Sequence, residues 1–151
     1  MVRALIALGL AILGLGLCTQ AGAAPGEIVV FVTVEPETFT LGETVIITVK
    51  AQNRGGSPIE YGRGSSSCRL GAVVRVNDTD VPVSVQRACL RDLRPWILAP
   101  GERRQERLSW TVAVAAPDTT YELHPGTYEL RGAAGPFLSA PVEIEVRGAL
   151  E

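Results

Sequence analysis

The sequence predicts an all-β domain, an immunoglobulin-like antiparallel β-sandwich of about seven or eight strands. Three observations predict it. Apolar side chains recur at every second position in one segment after another. Short clusters of Gly, Pro, Asn and Asp separate those segments, and no stretch carries the 3.6-residue stripe of a helix. Period two turns successive side chains to opposite faces, so each strand has one face for a core and one for water.

The chain opens on a leader. Met1-Val2-Arg3 is a short basic start, residues 4–18 are apolar without a charge, and Ala21-Gly22-Ala23 offers the small residues that signal peptidase requires. The expectation is a secretory signal over residues 1–23, with residues 24–151 forming the immunoglobulin-like domain and a secreted or periplasmic location in the cell envelope. The apolar run is shorter than the roughly 20 residues of a membrane span and breaks at Thr19-Gln20. Leu17, where lipidation of Cys18 would want a small residue, argues against a lipid anchor. An uncleaved tether is the alternative. Taking 23 residues from 151 leaves 128, enough to bury roughly two-thirds of the surface without metals or partners. Arg3 leaves with the leader, so 13 basic residues face 16 acidic ones and the net charge is −3. That balance gives no footprint for nucleic acid or an anionic membrane.

The strands follow in order. Ile28, Val30, Val32 and Val34 share one face of the first. In residues 43–52, Val45, Ile47, Val49 and Ala51 oppose Thr44, Thr48, Lys50 and Gln52. Leu108, Trp110, Val112 and Val114 repeat the pattern, as do Tyr128 with Leu130, and Val142, Ile144 and Val146. Trp110 is the expected central aromatic of the core. Turns are expected at Leu41-Gly42-Glu43, residues 53–58, Asn77-Asp78-Thr79-Asp80, Ala99-Pro100-Gly101-Glu102 and His124-Pro125-Gly126-Thr127.

Cys18 leaves with the leader, so Cys68 and Cys89 form an even pair in a compartment that permits disulfides. The apolar arms between them meet at the 77–80 turn, as a hairpin whose open end the two sulfurs close. Such a bridge closes a loop of about 20 residues and stabilises by about 3 kcal/mol on the chain-entropy model.

Catalytic chemistry is missing. His124 is the only histidine and Pro125 follows it, so no base stands beside a nucleophile. Ser65-Ser66-Ser67, with Gly62 and Gly64 before it, reads as a flexible loop. Glu143 and Glu145 read as the solvated face of the last strand. The 77–80 turn is rich in oxygen but runs straight into Val81-Pro82 rather than the late acidic ligand of a calcium loop. The expectation is therefore a chain that is not an enzyme, with no catalytic residue, no metal and no cofactor.

Two loops remain, residues 62–67 and 90–96. A Cys68–Cys89 bridge would bring them to one end of the domain, and Arg and Trp are enriched where proteins bind one another. Arg91, Arg94 and Trp96 are thus the candidate partner-binding residues. The alternative is that Trp96 and Leu93 cap the sandwich.

Four segments carry a resemblance. His124-Pro125-Gly126-Thr127-Tyr128-Glu129-Leu130 resembles the tyrosine corner of immunoglobulin-like domains, with Leu130 where an antibody domain has its second cysteine. Together with Val49-Lys50-Ala51-Gln52-Asn53, Leu98-Ala99-Pro100-Gly101-Glu102 and Leu108-Ser109-Trp110, it makes the stretch from about residue 43 to 132 similar to the BsuPI-type intracellular proteinase inhibitor domain. The chain differs from that family in its leader and its cysteine pair. The resemblance implies an immunoglobulin-like sandwich and a non-catalytic, inhibitor-like module acting on a protein partner such as a protease. A structural or assembly module of the bacterial cell envelope is the alternative, with an envelope component as partner. The expected domain is a monomer, where the assembly alternative predicts a concentration-dependent oligomer; in both cases it binds no nucleic acid and keeps no membrane span once the leader is gone.

Overall fold

A computed structural model describes residues 27–83, 85, 87–112 and 123–148. The leader with Cys18, and Val114 of the tryptophan strand, lie outside the described residues. Among the described residues, eleven strands run in chain order as β1 (Ile28–Glu35), β2 (Thr38–Thr40), β3 (Thr44–Asn53), β4 (Ile59–Gly64), β5 (Gly71–Val76), β6 (Thr79–Pro82), β7 (Arg94–Leu98), β8 (Arg103–Thr111), β9 (Gly126–Ala134), β10 (Phe137–Leu138) and β11 (Val142–Arg147). Strands β2, β6 and β10 have four residues or fewer; the other eight have at least five. Among the described residues there is no helix, and hence none long and apolar enough to cross a membrane.

One sheet orders β1-β3-β8 and the other β2-β11-β9-β5-β6, with β10 beside β9 and a two-stranded ribbon of β4 and β7. Pairing is antiparallel except where β2 runs parallel to β11. The alternating residues of β1, β3 and β8 point at those of β5, β9 and β11, and this interior is the core: Val32, Ile47, Val49, Leu108, Leu130 and Ile144 are all buried. Each such side chain contributes about 1.5–3 kcal/mol by leaving water. Trp110 is the central aromatic, 4% exposed and edge-on to Phe39 at 5.7 Å. The chain is an immunoglobulin-like antiparallel sandwich.

Turn chemistry sets the strand ends. Gly42 and Gly101 both have positive φ, at 87° and 76°. They sit at the third position of two turns built alike, residues 40–43 and 99–102. In each, the Glu N–H closes the turn at 3.0 Å and the Glu carboxylate accepts the first residue's N–H, from Thr40 at 2.9 Å and from Ala99 at 2.8 Å. The tyrosine corner is present: the Tyr128 hydroxyl donates to the His124 carbonyl at 2.9 Å and accepts its N–H at 3.0 Å.

The cysteine hairpin differs from expectation in two respects. Asn77 (φ 49°) and Asp78 (φ 61°) alone make the turn, so Thr79 and Asp80 already pair with Val76 and Arg75. Two left-handed residues in a row give the hairpin turn that matches strand twist. The returning arm stays on β5 only as far as Val83, whose N–H donates to Ala72 at 3.0 Å. Val85 then bridges Trp110 of β8 in the other sheet. Cys68 and Cys89 are joined, with Cα atoms 5.7 Å apart, but across an arm that has changed sheets. A disulfide of this kind persists in an oxidising compartment.

Candidate functional site

The site lies where β4, β7 and the disulfide meet. β4 pairs with β7 so that Gly62 opposes Trp96 and Gly64 opposes Arg94, past an irregularity between Glu60 and Gly62. The Trp96 ring lies flat on the two glycines: a Cβ would stand 2.5 Å from it at Gly62 and 2.6 Å at Gly64. The expected flexible loop over 62–67 is therefore strand as far as Gly64, and its glycines make room for an indole. Nε1 of Trp96 donates to the Ser65 carbonyl at 3.0 Å, and the Tyr61 ring is 5.9 Å away. Tyr61 is buried, and burial raises its hydroxyl above the ordinary value.

From Cys89 the chain runs outward through residues 90–95 as a knuckle tied at several points. The bridge holds its start. The Leu90 N–H donates to Ser67 Oγ at 2.9 Å, and the Ser66 N–H donates to Asp92 Oδ1 at 2.9 Å. Hydrogen bonds from Ser66, side chain and backbone, hold the Asp92 carboxyl below its usual range, with a smaller contribution from Arg94, whose Nε is 3.7 Å from Oδ2. Glu106 of β8 braces the base: Oε1 accepts the Arg69 N–H at 2.9 Å and Oε2 pairs with Arg87 Nη1 at 2.7 Å. Arg69 Nε donates to the Ser66 carbonyl at 2.8 Å, and Arg87 Nη2 to that of Leu70 at 2.8 Å.

The three candidate residues thus separate. Arg91 and Arg94 stand exposed on the knuckle, as a binding role requires. Trp96 is half-buried with its ring turned onto β4, which is a positioning role. Leu93, offered as a cap, caps nothing: it is 74% exposed, and Leu90 is 62% exposed. The sequence reading missed Leu90 and Leu93 as surface features, and it missed the anchors Ser66, Ser67 and Asp92. The pairing of the cysteines was the one signal that these segments meet. Chemically the knuckle offers two apolar side chains and two cations on a braced backbone. Among the described residues, no three His, Cys, Asp or Glu side chains stand together as metal ligands would.

No family model and no curated protein matches the chain. Among solved structures, it is similar to the Pseudomonas fluorescens alkylpurine DNA glycosylase AlkC bound to DNA, with a TM-score of 0.54 and 13% identity, over 81% of this chain and 31% of that one. It is also similar to the CARDB domain of the PF1109 protein from Pyrococcus furiosus, with a TM-score of 0.49 and 10% identity over 81% and 89% of the two chains. A Listeria innocua β-glucosidase follows, with a TM-score of 0.49 and 14% identity over 83% and 17%. The chain spans less than a third of the glycosylase and about a sixth of the glucosidase. The likeness to the glycosylase is one of fold.

Proposed function

We propose that this chain is a secreted or periplasmic, non-catalytic binding module that presents residues 90–95 to a protein partner. A protease is the first class to test, in keeping with the resemblance to the BsuPI-type inhibitor domain. The observation that carries the reading is the knuckle itself. Two large apolar side chains, 62% and 74% exposed, alternate with Arg91 and Arg94 on a backbone tied by a disulfide and by hydrogen bonds to Ser66 and Ser67. A loop ordered before binding loses little entropy on docking, so contacts made by Leu93 and Arg94 convert to affinity. The leader and the disulfide support an exported location.

The test is binding and inhibition by the oxidised domain across a panel of extracellular proteases. Leu93→Ala and Arg94→Ala are each expected to weaken the complex by about tenfold or more, as interface anchors do. Unchanged binding in both variants removes the site. A concentration-dependent oligomer indifferent to both would favour the envelope-assembly alternative.

A further inference from the structure

The outward face of the β1-β3-β8 sheet carries cations that the rest of the molecule does not match. Register places Lys50 between Phe31 of β1 and Gln105 of β8. Gln52 opposes Arg103 and Thr48 opposes Arg107, so both arginines are diagonal neighbours of Lys50, each about 7–8 Å across the ladder. These positions alternate with the buried ones of β3 and β8 and point away from the core.

Pairing separates this face from the opposite one. On the outer face of the other sheet, Arg75, Arg131 and Arg147 each stand within 4.0 Å of a carboxylate. Among the described residues, Lys50, Arg103 and Arg107 make no ion pair. The chain has 16 acidic residues for 14 basic ones, so these cations are not left over from an excess of base. Like charges at such spacing repel one another, and an anionic chain laid across the sheet relieves that repulsion.

Two further features fix the chemistry of the ligand. Gln52 and Gln105 stand among the cations and offer amide donors and acceptors to hydroxyl groups. With Phe31, Lys50 and Arg103 they line a shallow depression of about 280 Å³. Phe31 is 45% exposed, and the Arg54 guanidinium lies over its ring at 5.8 Å. The Arg54 guanidinium thereby sets a fourth cation beside this depression.

We propose that this face binds an acidic polysaccharide. Lys50, Arg103 and Arg107 take its carboxylates or sulfates, and Gln52 and Gln105 take its hydroxyls. The face shares no residue with the knuckle, so the two sites act independently.

Affinity electrophoresis of the purified chain through gels containing polygalacturonate, dextran sulfate or neutral dextran tests this, with a deoxythymidine oligonucleotide as competitor. Retardation by polygalacturonate or dextran sulfate, and none by neutral dextran, is expected; which of the two is bound distinguishes carboxylate from sulfate. Lys50→Glu and Arg107→Glu should each weaken retardation about tenfold, the loss of one contact and the gain of one repulsion. Lys50→Gln should weaken it less, and Arg131→Glu on the opposite face should leave it unchanged. Failure of both acidic polymers, equal retardation by neutral dextran, indifference to the Lys50 and Arg107 variants, or tighter binding of the oligonucleotide would each overturn the proposal.

Discussion

Asn53 is fully buried, yet no atom of its amide is idle. Nδ2 donates to the carbonyls of Ser57 at 2.8 Å and Leu98 at 2.9 Å, and Oδ1 accepts the Gly55 N–H at 2.8 Å. One side chain thereby fixes where β3 stops, where β4 begins and where β7 ends. Asn53→Ala strands those partners and should cost about 3 kcal/mol in urea unfolding, the cost of orphaning buried polar groups. Trp96 and Arg94 make a second contrast at this scale. Trp96→Ala empties the space over Gly62 and Gly64 and should lower stability by about 2–3 kcal/mol, less than a wholly buried indole. Arg94→Ala, at an exposed position, should leave the unfolding free energy within about 0.5 kcal/mol of wild type. Asp92 gives a pH signature. Its carboxyl is held below the ordinary value of 3.8 by the Ser66 hydrogen bonds. A depressed folded pKa means the contribution is complete above that ordinary value and lost as pH falls through the lower folded one. The stability difference between wild type and Asp92→Ala should therefore be flat from neutrality to about pH 5 and shrink in stronger acid.

The disulfide and the hairpin do separate work at the scale of elements. Asn77 and Asp78 fix the β5–β6 register, whereas the bridge ties an arm that has crossed to β8. Cys68→Ser with Cys89→Ser should lower stability by about 3 kcal/mol on the loop-entropy account while leaving the hairpin ladder intact. Nuclear Overhauser contacts between Val74 and Val81 would report the ladder. Legibility in the sequence follows the same division. β1 and β3 could be read because apolar side chains recur at every second position along eight and ten residues; β8 could be read only from Leu108 onward, since residues 103–107 are polar or charged throughout. β2 and β10 could not, since three and two residues carry no period; Phe39 therefore joined the core unannounced. β4 and β7 were hidden by Gly62, Gly64 and Pro95, which look like loop until Trp96 is seen lying on the glycines. Of the site, the shared end of the two loops was legible from the cysteines. Which side chains faced outward was not, because that depends on which face of β7 meets β4.

The whole molecule is a sandwich whose interior is nearly all aliphatic and whose surface is uneven. One end carries the braced knuckle, one sheet face carries unpaired cations, and the other sheet face carries paired ones. Because the two proposed sites share no residue, Leu93→Ala should leave retardation by acidic polysaccharide unchanged, and Lys50→Glu should leave the protein complex unchanged. The functional reading rests on residues 90–95 being held in place before any partner arrives. Amide hydrogen exchange on the oxidised domain measures that directly. The Ser66 and Leu90 amides, bonded to Asp92 and Ser67, should exchange at least about tenfold more slowly than those of Arg91 and Leu93. Exchange of all four at one fast, unprotected rate would contradict the account, because the knuckle would then be a free loop rather than a preformed surface.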